Sequence, residues 1–97
     1  MKRLLWWLIA GSRGGKNRAR IIEALYDRPY NVNQLSKELD LDYKTVKHHI
    51  DVLKDHDIIN SSGEKRYGSM YFLSNRMEEK YSIYQEILSK MKKKELL

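Results

Sequence analysis

Tyr43, Lys44, Lys47, His48 and Asp51 recur along one side of the stretch 41–53, LDYKTVKHHIDVL, while Val46, His49, Ile50 and Leu53 recur along the other. The first side offers a phenol, two ammonium groups and an imidazole. A helix that hides a narrow stripe and presents such groups together has the reach to set them on base edges in the major groove of a DNA duplex. The base-reading candidates are therefore Tyr43, Lys44, Lys47 and His48. Asp42 and Thr45 stand at the start of the helix, beside the sugar–phosphate backbone, and the helix N-terminus adds a positive dipole end. The plainer alternative is an ordinary amphipathic helix with a solvated polar side. His49 falls on the hidden stripe and is expected to be a packed, hydrogen-bonded core residue. His48 and His49 diverge by about 100° around a helix and cannot share a metal ion unaided. His56, near the helix end, has a structural role by default.

Two further basic groups flank this segment. Arg13, Lys16, Arg18 and Arg20 are expected on neighbouring phosphates, although Arg18 or Arg20 could equally pair with an acid of the chain. Lys65, Arg66 and Tyr67 lie at the tip of an expected hairpin, where they could follow the minor groove or the adjoining phosphates.

The charge distribution agrees with a polyanionic partner. The 97 residues carry a net charge of +6, and the sequence pI is about 9.6. Residues 1–20 hold six bases and no acid, whereas residues 21–75 hold seven bases and nine acids. The recognition segment is thus no blanket of positive charge; its cations must be concentrated on one face, and the preceding flank supplies the general attraction.

The same composition narrows the function classes. There is no cysteine, hence no disulfide framework, thiolate metal site or cysteine nucleophile. The stretch Gly11-Ser12-Arg13-Gly14-Gly15-Lys16-Asn17 approaches a phosphate-binding loop but is one residue short, with Asn17 where Ser or Thr is required, and no βαβ pattern surrounds it. No nucleophile elbow and no paired-histidine metal helix occurs. An enzyme is not expected; neither are catalytic residues, a metal site or a cofactor.

The elements that must position these groups are legible in outline. Gly11 to Gly15 form a hinge, after which Ile21, Ile22, Leu25 and Tyr26 mark a helix that Arg28-Pro29 ends. Val32 suits a very short strand, and Asn33 a cap for a helix over 34–39. After the turn at Asp40-Leu41, Asp42 caps the helix that runs to about Asp55. Ile58-Ile59 begin a strand, Gly63 and Gly68 flank a hairpin tip, and Met70 to Leu73 form the return strand. Asn75-x-x-Glu78 offers a capping box for a last helix, with Ser74 as an alternative cap.

That last helix carries Met77, Tyr81, Tyr84, Leu88 and Met91 at alternating four- and three-residue steps, a heptad seam. Packing on a second copy gives the seam a use, with Trp6 and Trp7 thickening the same homodimer interface; folding back on its own domain is the other use. The N-terminal run LLWWLIA, residues 4–10, is too short to span a bilayer, so no membrane partner is expected. A docked helix or turn fits it better than a signal peptide, because four bases follow within Gly11 to Arg20.

The residues Val32-Asn33-Gln34-Leu35-Ser36-Lys37-Glu38-Leu39, then Leu41-Asp42-Tyr43-Lys44-Thr45-Val46-Lys47-His48-His49-Ile50 and Val52-Leu53, resemble the ArsR-like winged-helix transcription regulators. Thr45, Val46, His49 and Ile50 occupy the places of that family's Thr-Val-x-x-His-Leu core. The segment from Ala10 to Ile21 is similar to archaeal members. The resemblance covers roughly residues 10–75 and implies sequence-specific binding of double-stranded DNA, usually as a homodimeric repressor. Metal sensing does not carry over, because the chain has no cysteine and residues 76–97 contain no histidine. The expected architecture is mainly α with a small β-hairpin wing: an apolar and basic extension over 1–15, a winged helix-turn-helix over 16–75, and a C-terminal dimerisation helix over 76–97. A cytoplasmic regulator is the expected function. A protein-binding winged helix and a sequence-tolerant RNA- or chromatin-binding module are the alternatives, and any effector ligand is left open.

Overall fold

The computed structural model describes residues 1–63 and 68–93. Helix α1, Lys2–Trp6, widens into a π-helical turn over Trp7–Gly11. Its inner side buries Leu5, Leu8 and Ile9. The chain then reverses: Ser12 is extended and Gly14 takes φ +85°, a left-handed conformation that favours glycine. Gly15 opens α2, Gly15–Asp27, so close to the preceding segment that a Cβ here would lie 1.9 Å from the Ile9 carbonyl oxygen.

Helix α2 packs Ile21, Ile22 and Leu25 into the core and ends before Pro29. The short strand expected at Val32 is instead a single bridge at Tyr30. Its N–H donates to the Tyr71 carbonyl at 3.1 Å, and the Tyr71 N–H returns the bond at 2.8 Å. Val32 begins α3, Val32–Leu39, and the cap is Asn31, not Asn33. Asn31 accepts from the Gln34 N–H, while the Gln34 side chain accepts from the Asn31 N–H, a complete capping box. Asp40, at φ 54°, turns the chain toward α4, Tyr43–Asp55. Asp42 caps this helix, and its buried stripe is Val46, His49, Ile50 and Leu53, as the periodicity predicts.

Strands β1, Ile59–Ser61, and β2, Tyr71–Leu73, pair antiparallel with Ile59 opposite Leu73 and Ser61 opposite Tyr71. Tyr71 and Leu73 face the core; Phe72 faces out. The expected single last helix is two: α5, Asn75–Glu79, capped by Ser74, and α6, Tyr81–Lys93, after an interruption at Lys80. Helix α6 returns against α1 and α2, where the Tyr84 hydroxyl donates to Glu23 Oε1 at 2.9 Å. Burial and that carboxylate push the Tyr84 phenol far above its ordinary value. These are the elements of a winged helix-turn-helix, with α3 and α4 as the helix pair and β1–β2 as the wing.

Candidate DNA interface

Helix α4 presents its polar side because its other side is committed to the core. Tyr43 is half-exposed at its first turn, and Lys44 and His48 are exposed. Lys47 is partly covered: it lines a small concavity with Tyr43, Asn31, Asn33 and Tyr71 at the base of the wing. Its Nζ lies 2.8 Å from Asp51 Oδ1, and that bond raises the lysine above its ordinary value. Asp42 accepts from the Thr45 N–H and from its hydroxyl, which hold the carboxyl below its usual range. Both residues are thereby engaged in starting the helix, with Asp42 as its cap.

Arg13, Gly14, Lys44, Thr45, His48 and His49 line one open concavity of roughly 500 Å³ between the hinge and α4. Here the structure brings together groups 31 or more residues apart in sequence: the exposed Arg13, and Lys44 with His48 on α4. Neither Arg13 nor Lys44 has a carboxylate partner among the described residues. A duplex lying along α4 would meet all three.

Arg18 is a correction. It is 4% exposed and lies behind this surface, not on it. Its Nε donates to the Leu8 carbonyl at 2.7 Å, Nη2 to the Arg13 carbonyl at 3.0 Å and to the Ser12 hydroxyl, and Nη1 to His49 Nδ1 at 3.3 Å. A guanidinium has no acceptor, so Nδ1 of His49 must be the bare nitrogen and, in the neutral ring, Nε2 carries the proton. Burial, then Arg18 and His48, holds His49 below its ordinary value; burial alone lowers Arg18. His49 is the packed core residue expected of it, and its ring lies so close to Gly14 that a Cβ there would be 2.6 Å from His49 Cε1. The guanidinium thus pins the hinge against α4 and fixes where Arg13 projects. The sequence names Arg18 but not this role; its place just after a glycine hinge was the available signal.

Other candidates are dispersed. Arg20 donates to the Leu39 carbonyl and lies 3.5 Å from Asn17 Oδ1, tying α2 to the end of α3, and it pairs with no acid among the described residues. Lys16 lines a different concavity, with Leu88 and Lys92 between α2 and α6. Lys65, Arg66 and Tyr67 lie outside the described residues. The seam also changes meaning: Met77, Tyr81, Tyr84 and Met91 are buried within their own chain, so the stripe folds back on its domain, leaving Leu88 half-buried. Tyr81 is covered further by Tyr26, stacked at 3.6 Å between ring centroids. Trp6 is half-buried, and Trp7, 51% exposed, stands 6.1 Å from the His56 ring.

A winged helix-turn-helix with cations gathered along its second helix is a nucleic-acid-binding class of domain. Residues 15–61 match the family described as "Bacterial regulatory protein, arsR family". No curated protein shows significant sequence similarity to the chain. Among solved structures, HlyU from Vibrio cholerae N16961 is similar at 20% identity, covering 94% of this chain and 86% of that one, with a TM-score of 0.64. The transcriptional regulator YodB from B. subtilis matches at 16% identity over 88% of this chain and 83% of that one, TM-score 0.70. BldR, a transcriptional regulator from Sulfolobus solfataricus, matches at 10% identity over 98% and 68%, TM-score 0.73. Residues 15–61 are thus an ArsR-family helix-turn-helix domain, and the match supports DNA binding in transcription regulation. Among the described residues, no helix is long and apolar enough to cross a membrane.

Proposed function

We propose that the protein is a sequence-specific regulator of transcription, a cytoplasmic repressor that binds double-stranded DNA as a homodimer. Helix α4 enters the major groove, with Tyr43, Lys44, Lys47 and His48 on base edges, and the wing, with Lys65, Arg66 and Tyr67, lies on the flanking backbone or minor groove. The observation that carries this reading is the convergence of Arg13, Lys44 and His48 around one concavity open along α4. Since the seam of the last helix is largely spent inside the chain, the second copy docks on the outer faces of α1 and α6. Leu4, Trp6, Ile83 and Leu88 are the half-buried hydrophobics of those two helices. Two α4 helices related by the dimer axis would read half-sites about 10 bp apart, or a multiple of that.

The test is selection of bound duplexes from a randomised pool, followed by His48→Ala and Lys44→Ala. Each variant is expected to lose about 1–3 kcal/mol on the selected site and far less on random duplex. Equal losses on both DNAs would reduce the two side chains to phosphate contacts. A protein that selects no sequence would end the reading.

A further inference from the structure

The exposed side of α4 carries one group that a DNA-facing surface should avoid. Asp51 is exposed, and its carboxylate is an acceptor with no donor of its own. Phosphates repel it. Among the groups lining the major groove, only the exocyclic amines of cytosine and adenine can satisfy it, and Asp is matched to the cytosine N4 amine.

Helix stabilisation is a poor account of the Lys47–Asp51 pair. At i,i+4, the favourable order places the acid N-terminal to the base, in accord with the helix dipole, and here the order is reversed. The pairing does have another effect: the 2.8 Å contact sets a negative charge beside a lysine that would otherwise attract any phosphate. Lys44, one turn earlier, is not restrained in this way by an acid among the described residues.

We propose that Asp51 is a specificity-determining residue, which restrains Lys47 on non-cognate DNA and releases it only where a cytosine amine meets the carboxylate and a nearby guanine offers its acceptors to the ammonium. Four residues advance about 6 Å along a helix, under two base-pair steps at roughly 3.4 Å each. The two edges therefore belong to neighbouring base pairs. On other sequences Asp51 and Lys47 stay paired with each other, so binding is weak. This inference rests on the reading of α4 as the helix that enters the groove.

The experiment compares wild type, Asp51→Ala, Lys47→Ala and the double variant, by duplex selection and by affinity for random DNA across a salt series. For Asp51→Ala the inference expects random-duplex affinity to rise about tenfold at low salt. The slope of log affinity against log salt should steepen by about 0.9, one additional phosphate. The selected site should lose its cytosine–guanine preference at one step. The double variant should return random-DNA affinity to the Lys47→Ala level. An Asp51→Ala protein that selects the wild-type site, with unchanged random-DNA affinity, overturns the inference while leaving the helix reading intact. A wild-type protein that selects no sequence overturns both. Asp51 is exposed, so an unchanged urea midpoint is expected to show that the variant is folded.

Discussion

Replacing Arg18 with leucine tests the role assigned to the buried guanidinium. Four acceptors lose their donor: the Leu8 and Arg13 carbonyls, the Ser12 hydroxyl oxygen and His49 Nδ1. They do not weigh equally. The Arg13 carbonyl and Ser12 lie near the surface and can turn to water. The Leu8 carbonyl belongs to a buried residue and accepts its bond at 2.7 Å. An orphaned buried acceptor costs about 1–3 kcal/mol, and His49 Nδ1 adds a second, smaller cost of the same kind. Against this, removing a buried cation returns part of its desolvation penalty. The balance is a loss of about 3 kcal/mol, a large share of the 5–15 kcal/mol that holds a domain folded. In a chain of this size it corresponds to a fall in Tm of about 12–24 °C. Urea and thermal unfolding followed by circular dichroism measure it. Arg18→Lys should rescue little, since one ammonium cannot span four acceptors that a planar guanidinium reaches together. A loss below about 1 kcal/mol for Arg18→Leu would refute the argument and return Arg18 to the solvated cations.

Three further outcomes follow from the same geometry. Gly15→Ala should destabilise by about 3 kcal/mol, because two backbones must separate to admit the methyl group; a urea midpoint equal to wild type would contradict the 1.9 Å approach. His49 sits below its ordinary value near pH 6.5, so the unfolded chain binds the proton more readily and folding weakens as pH falls through 6.5 toward the folded value. The slope should reach up to about 1.4 kcal/mol per pH unit and flatten in His49→Gln; an unchanged slope in that variant would assign the effect elsewhere. Arg13→Ala should flatten the salt dependence of DNA affinity by about 0.9 in log–log slope, whereas Lys16→Ala, turned toward α6, should leave it unchanged, and the reverse result would misplace both.

What was legible in the sequence was whatever local chemistry or periodicity enforces. Asp42 as cap, the hidden stripe of α4, the end of α2 before Pro29 and the alternation of Tyr71, Phe72 and Leu73 are all decided within a few residues. The winged helix-turn-helix followed from their order. Errors arose where a distant partner decides. Val32 has the residue type of a strand, yet Tyr71 pairs with Tyr30, and Asn31 then caps the helix in place of Asn33. The heptad of Met77, Tyr81, Tyr84 and Met91 is real, but periodicity does not say which surface it meets, and α1 and α2 meet it first. Arg18 looked like its neighbours Arg13 and Arg20 because its three fixed acceptors on residues 8–13 are assembled only when the hinge folds.

Both tryptophans of the chain, Trp6 and Trp7, lie in the N-terminal segment that Arg18 and Gly15 lock to the domain. Indole emission therefore reports the seating of that one segment, while ellipticity reports the helices throughout. Discordance between the two signals during unfolding would reveal the strap coming loose ahead of the rest, without any label being introduced.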